Sequence, residues 1–264
     1  VLAFPCDVTD AGGVDALVGQ VERALGPIEV LINNAGIIEV GPAETMTPRD
    51  FEEGLSTNFW GMLHPILRVL PGMRSRGEGR IVNITSIGGK VGIPHLLPYT
   101  VSKFAAMGLS QGLRAELAGE GVRVVTVVPG LMRTGSPRHA IFRGKHRAEY
   151  AWFSISDSLP GLSISAESAA RRILDGAERG DAEVLFPLTT RLATAVNALA
   201  PNLTARFLAG AARLLPGSPK TPTGRRKGAE STSPLSPSVL TGLTERAARR
   251  NNQLAPSETA PQRS

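Results

Sequence analysis

Apolar residues recur along this chain in two periods that alternate. Short runs rich in β-branched and apolar residues read as buried strands at 1–5, 28–32, 80–85, 122–128 and 183–186. The run 122–128, Val-Arg-Val-Val-Thr-Val-Val, is nearly continuous, which suits a parallel strand covered on both faces. Helical stripes lie between these runs. Val14, Leu17, Val18, Val21 and Leu25 form the first, with Thr9 or Asp10 as its cap and Gly26-Pro27 as its stop. Thr47-Pro48-Arg49-Asp50 opens the second, which carries Phe51, Leu55, Phe59, Met62, Leu63, Ile66, Leu67 and Leu70. Helices are also predicted over 104–117 and 167–178. Strands alternating with helices predict an α/β fold around a parallel sheet.

Residues 131–165 carry no clear period and read as a long irregular segment. Its aromatic residues Phe142, Tyr150, Trp152 and Phe153 point to an apolar pocket. Its basic residues, Arg138, His139, Arg143, Lys145, His146 and Arg147, read as solvated surface. Two amphipathic segments follow in 188–216, one with Leu188, Leu192, Ala195, Val196 and Leu199, the other with Leu203, Phe207, Leu208, Ala211, Leu214 and Leu215. Such stripes suit docking on the body, on a second subunit, or on a membrane surface. From 217 to 264 the chain is rich in Pro, Ser, Thr, Gly and Arg, which predicts a disordered basic tail. Three regions result: 1–187, 188–216 and 217–264.

Composition changes this picture little. The chain has 264 residues, enough for one α/β domain, and a net charge of +6, much of it in the tail. No nucleic-acid recognition motif accompanies that charge, so no nucleic acid is expected as a partner. One cysteine, Cys6, excludes an internal disulfide, fits a reducing compartment and reads as a buried small residue. The histidines show no metal-ligand spacing, so no metal is expected. No apolar run is long enough to span a bilayer.

The candidate chemistry lies at 86–103. Tyr99 and Lys103 are four apart, one turn of helix on one face, and Ser86 sits where the strand 80–85 ends. Strand ends of this kind are where open α/β sheets bind ligands. A cation beside a phenol favours phenolate, so Lys103 would lower the Tyr99 pKa toward that of a usable acid/base. The Ser86 hydroxyl would hydrogen-bond the same substrate oxygen.

Together with Asp7-Val8, Asn33-Asn34-Ala35-Gly36, Asn58 and Pro129-Gly130-Leu131-Met132-Arg133-Thr134, these residues resemble the classical short-chain dehydrogenases/reductases, over about residues 7–187. The resemblance implies a Rossmann-like, doubly wound parallel sheet and an oxidoreductase using NAD or NADP. It implies interconversion of an alcohol and a ketone or aldehyde on a fairly apolar small molecule. Tyr99 would be the acid/base, and Lys103 its partner and the holder of the nicotinamide ribose. Ser86 would position the substrate oxygen, and Asn58 would complete a proton relay. Asp7 and Val8 would lie near the adenine, and Asn34, Ala35 and Gly36 against the cofactor. Pro129, Gly130, Met132 and Thr134 would meet the nicotinamide. A homodimer or homotetramer in the cytoplasm is implied, with peripheral membrane contact through 188–216 as an addition.

The family also begins with a strand, a Thr-Gly-x-x-x-Gly-x-Gly turn, a helix and a second strand. This chain starts at Val1 in what matches the third strand. The expectation is therefore a fold lacking the first βαβ unit, whose turn would hold the pyrophosphate. The alternative to an enzyme is a non-catalytic module of this family, unable to bind a dinucleotide.

Overall fold

A computed structural model describes residues 1–219 and 224–254. The regular elements that frame the molecule are α1 (Ala11–Leu25), β1 (Val30–Asn33), α2 (Pro48–Leu55), α3 (Gly61–Arg76), β2 (Gly79–Ile84), α4 (Leu97–Glu116), β3 (Val122–Pro129), α5 (His146–Ser158), α6 (Ala166–Arg179), β4 (Glu183–Phe186), α7 (Leu188–Leu199), α8 (Pro201–Ala212) and α9 (Gly242–Arg250). The four strands form one parallel sheet in the order β1-β2-β3-β4, with Ile32 opposite Val82 and Val82 opposite Val125.

Alternation along the strands separates two cores. On one face Ile81, Val122 and Val124 pack with Val14 and Val18 of α1, Met62, Ile66, Val69 and Met73 of α3, and Ala106 of α4. On the other, Val82, Ile84, Val125 and Val127 pack with Ala169 and Ala177 of α6 and with Val184 and Phe186 of β4. This is a Rossmann-like layered arrangement, as the alternating periods predict.

A line of polar groups crosses the sheet inside the protein. The Asn33 amide donates to Asn83 Oδ1 at 2.8 Å, and the Asn83 amide donates to Ser110 Oγ at 3.0 Å. The Ser110 and Thr126 hydroxyls share a hydrogen bond at 2.7 Å. All four residues are buried, so each supplies the partner another would otherwise lack.

Several expectations are corrected. Residues 1–5 form no strand; no described strand lies alongside them to complete a ladder. β1 is consequently an edge, with Val30 and Ile32 46% and 44% exposed. Cys6 is half-buried beside the first core rather than fully enclosed. The helix expected from 48 to 70 is interrupted by a π-helical turn, Ser56–Trp60, before α3 continues it. Residues 131–165 are not irregular: they contain α5 and short paired stretches at Met132–Arg133, Ile141–Phe142 and Ile164–Ser165.

The tail differs most. Its last ten residues and 220–223 lie outside the described residues, but 224–254 are packed on the body. Arg226–Lys227 pairs antiparallel with Ile141–Phe142, which pairs parallel with Glu39–Val40. A Cβ on Gly228 would come within 1.9 Å of the Pro137 carbonyl oxygen, so a glycine permits that approach. Ser231, Ser236, Thr241, Thr244 and Ala248 are buried. Gln253 Oε1 accepts from the Gly135 amide at 2.7 Å, and Arg250 pairs with Glu167 at 3.0 Å. Small polar residues and ion pairs thus order a segment that has few large apolar groups to bury.

Arg225 anchors it. Its guanidinium bonds both carboxylate oxygens of Glu53 and reaches Glu39 at 3.4 Å. The Arg225 bond holds the Glu53 carboxyl down to about 2, while desolvation and the Asp50 charge push Glu39 up to about 8. Arg143 is also no solvated cation: it pairs with buried Asp50 at 2.8 Å, and Arg138 pairs with Glu245 at 3.0 Å. Arg225→Ala leaves Glu39 and Glu53 without this cation and is expected to cost about 3 kcal/mol. Hydrogen exchange should then accelerate across 226–250 before it does in the sheet; uniform protection would show that Arg225 is not the anchor.

Candidate active site

The carboxyl ends of β1, β2 and β3 lie along one edge of the sheet, and the loops that leave them carry the predicted residues. β2 ends at Ile84, and Ser86 caps the short turn Ile87–Gly89, its Oγ accepting from the Gly88 amide at 3.1 Å. That turn presses on the first turns of α4. A Cβ on Gly89 would lie 2.6 Å from the Lys103 carbonyl oxygen, and one on Gly88 would lie 3.2 Å from the Tyr99 ring. The two glycines therefore set Ser86 against Tyr99.

Tyr99 and Lys103 both fall in α4, one turn apart as the spacing predicts. Tyr99 is partly buried against the cluster that holds Leu96, Phe142 and Tyr150, and the Ser86 hydroxyl is close enough to act on its phenol. Lys103 is 5% exposed and donates to the Ile84 carbonyl at 3.1 Å. Its Nζ lies 5.7 Å from the centre of the Tyr99 ring.

The electrostatics reverse one expectation. Burial pushes the Tyr99 phenol up to about 12; the Ser86 hydroxyl works against that shift, and the Asp157 charge adds to it. Burial also pushes the Lys103 ammonium down to about 8. Lys103 stands over the ring and bonds a carbonyl, so desolvation outweighs its attraction for a phenolate.

Asn58 occupies the π-helical turn and is 1% exposed. Its Oδ1 accepts from the Ile37 amide and its Nδ2 donates to the Ile37 carbonyl, both at 3.0 Å. Nδ2 also donates to Ser102 Oγ at 2.8 Å. The pair of hydrogen bonds to Ile37 and the one to Ser102 together tie the loop after β1 to α4 through Asn58. π-turns are frequent at functional sites because they re-aim a side chain out of helical register. A Cβ on Gly36 would sit 2.8 Å from Asn58 Oδ1 and 3.6 Å from Lys103 Nζ, so Gly36 leaves bare backbone beside both.

Ser86, Tyr99, Lys103, Asn58 and Gly36 thus converge. Asn34 and Ala35 form the exposed loop at the end of β1. Val8 packs on Gly61, and its carbonyl lies 3.2 Å from His64 Nδ1. Asp7 is exposed, accepts from the Thr9 amide at 2.9 Å and shapes the turn before α1, which Asp10 caps. Pro129 ends β3, and Gly130 abuts Thr190 of α7. Met132 packs against the second core, and the Thr134 hydroxyl donates to Ser136 at 2.9 Å.

The aromatic residues behave differently from the expected pocket lining. Phe142 and Tyr150 are fully buried, and Phe142 meets Tyr150 and Phe153 edge-on at 5.5 and 6.0 Å. They form a core behind Tyr99, and Trp152 remains partly exposed. Sequence reasoning also missed Asp157 on α5, 6% exposed and near enough to act on Tyr99. Its one legible signal is an acid in a helix with Phe153 and Tyr150 four and seven positions before it.

Burial pushes the Asp157 carboxyl from 3.8 up to about 8. Its protonated form is the one the fold favours. That contribution is complete below about pH 4 and is lost as pH rises through about 8. Asp157→Asn is therefore expected to match the parent near pH 4 and exceed its stability by a few kcal/mol near pH 8, in denaturation at the two pH values. The same change should lower the Tyr99 pKa in ultraviolet titration; no movement would remove Asp157 from the site.

The family model described as short chain dehydrogenase matches residues 1–140. A 3-ketodihydrosphingosine reductase of Bacteroides thetaiotaomicron is 40% identical over 129 residues, 49% of this chain and 48% of that protein. A D-threitol dehydrogenase of Mycolicibacterium smegmatis is 32% identical over 181 residues, 66% of this chain and 69% of that protein. Among solved structures, a short-chain dehydrogenase from Streptomyces avermitilis superposes with a TM-score of 0.65 at 25% identity, covering 82% of each chain. A gluconate 5-dehydrogenase from Burkholderia cenocepacia, solved with NADP and tartrate, gives 0.58 at 25% identity over 68% of this chain and 69% of its own. The chain spans about half the length of the curated relatives it matches at 40% identity. With the ordered motifs, the parallel sheet and the Ser86, Tyr99 and Lys103 cluster, these matches place the chain in the short-chain dehydrogenase family.

Proposed function

We propose that the protein is a nicotinamide-dependent oxidoreductase that interconverts an alcohol and a ketone or aldehyde on a small molecule. The observation that carries this reading is the convergence of Ser86, Tyr99, Lys103 and Asn58 beside the bare backbone of Gly36.

The residues fit the nicotinamide and ribose half of such a cofactor. An ammonium has three donors, and the Ile84 carbonyl takes one of those on Lys103, leaving two for ribose hydroxyls. A side chain at 36 would fill the space next to Asn58 and Lys103, so glycine there leaves a surface on which a flat ring could lie. Asn34, Ala35, Pro129, Gly130, Met132 and Thr134 would flank that surface, and Asp7 and Val8 would serve the adenine end. When bound, the cofactor supplies or accepts the hydride.

The protein's own groups manage the proton. In the reducing direction Tyr99 donates its phenolic proton to the substrate oxygen. Ser86 donates a hydrogen bond to the same oxygen as negative charge develops on it. The phenolate that forms is stabilised by Ser86 and by Lys103, whose ammonium lies beside the ring. Asn58 holds Ile37 and Ser102 in place and would position the water that returns a proton through Lys103. The relatives include proteins named for ketone reduction and for polyol dehydrogenation, so their names support the reaction class in either direction. A homodimer or homotetramer is part of the same proposal. It would use α3 and α4, which expose Leu67 and Phe104.

Tyr99→Phe removes the proton and keeps the ring. Turnover of a ketone panel with NADH or NADPH should fall by about 10²-fold or more. Cofactor binding, followed by nicotinamide fluorescence in a form of the chain that binds it, should stay within about twofold. Undiminished turnover would refute the role of Tyr99.

A further inference from the structure

The helical pair α7 and α8 is turned inside out relative to an ordinary surface helix. Thr190 of α7 is buried, and its Asn197 side chain donates to the Lys90 carbonyl at 3.1 Å. Thr194, Ala195 and Ala198 share with Phe104 and Met107 the lining of a 520 Å³ cavity against α4. The small and polar side of α7 therefore faces the protein. Its large apolar side chains, Leu188, Leu192, Val196 and Leu199, recur at intervals of four, four and three and face outward, with Leu199 88% exposed. Leu203, Phe207 and Leu214, four and seven apart, continue an exposed stripe on and just beyond α8, with Phe207 73% exposed. Of the surfaces these stripes could dock on, the body covers only part: Leu208, Ala211 and Leu215 are half-buried, and the other large side chains stay exposed.

Charge narrows what covers it. Residues 188–219 contain Arg191, Arg206 and Arg213 and no Asp or Glu. All three arginines are exposed. A second copy docking this face on itself would place these arginines against their counterparts, with no carboxylate on either pair of helices. A lipid surface bearing negative headgroups meets both features. Its acyl region accepts the leucines and Phe207, and its headgroups accept the guanidiniums, whose methylene stems also lie on apolar surface. Among the described residues, no helix is long and apolar enough to cross a membrane, so contact would be interfacial.

We propose that the outward face of α7 and α8 seats the protein on an anionic bilayer surface. This rests on the helical pair alone and is independent of the catalytic reading. The full chain is sedimented with vesicles of phosphatidylcholine, alone or mixed with phosphatidylglycerol. It should pellet with the mixed vesicles, and added salt should release it. Leu203→Ser with Phe207→Ser should weaken binding by about tenfold or more for each substitution. Both side chains are exposed, so the fold should tolerate the change. Arg206→Ser with Arg213→Ser should weaken it about fivefold for each arginine. Phe207→Trp should give blue-shifted emission on the mixed vesicles only. The proposal is overturned if the chain stays in the supernatant with both vesicles, or binds neutral vesicles equally. It is also overturned if the serine variants bind unchanged, or if light scattering finds a dimer that Leu203→Ser with Phe207→Ser dissolves.

Discussion

The close approach between the turn Ile87–Gly89 and α4 is the constraint on which the site depends. Gly89 lies where any side chain would strike the Lys103 carbonyl, and Gly88 leaves room for the Tyr99 ring. A hydroxyl from the end of β2 and a phenol and ammonium from the start of α4 meet only because backbone touches backbone there. Covalent order does little for this: Ser86 and Tyr99 are separated by a loop in which His95 adopts a positive φ of 62°. The sheet supplies the rest, because β2 is buried between β1 and β3 and fixes where Ser86 begins.

A second line of support runs from the far end of the chain. Arg225 holds Glu53 on α2, and Arg143 holds Asp50 one turn earlier. Asp50 also accepts from the Thr47 amide at 2.7 Å and so closes the start of the same helix. α2 runs directly into the π-helical turn that presents Asn58. The segment 224–254 thus braces the helix whose end sets the position of Asn58. The carboxyls divide accordingly. Glu53, paired with Arg225, is held well below the ordinary range, whereas Glu39 and Asp157, dominated by desolvation, are held well above it.

What was legible in the sequence was what depends on local period and on spacing within one element. The runs that became β2 and β3 are visible because β-branched residues cluster there, β4 because it is a short apolar run, and Tyr99 and Lys103 because four residues make one helical turn. Residues 1–5 look like a strand by composition, but a strand also needs a neighbour, which composition does not show. The π-turn at Asn58 interrupts no hydrophobic stripe, so the period runs across it unbroken. α5 was hidden because its buried face mixes Tyr150 and Phe153 with Glu149, Ser154 and Asp157, and no apolar stripe results. The order of 224–254 comes from Arg225, Ser231, Thr244 and Gln253, each engaged with residues distant in sequence. A count of apolar residues gives such contacts no weight. The same long-range pairing turned Arg138 and Arg143 from apparent surface charges into partners of Glu245 and Asp50.

The buried line from Asn33 through Asn83 and Ser110 to Thr126 has a consequence for how this sequence can vary. Each member satisfies its neighbour, so an apolar replacement at one position leaves a donor or acceptor stranded at the next. A fully apolar version of the same line would be acceptable to the fold, yet any single step toward it passes through a worse protein. The four positions therefore drift as a group or not at all. Mutational libraries that alter one residue at a time would record all four as intolerant, although none of them touches the reacting atoms.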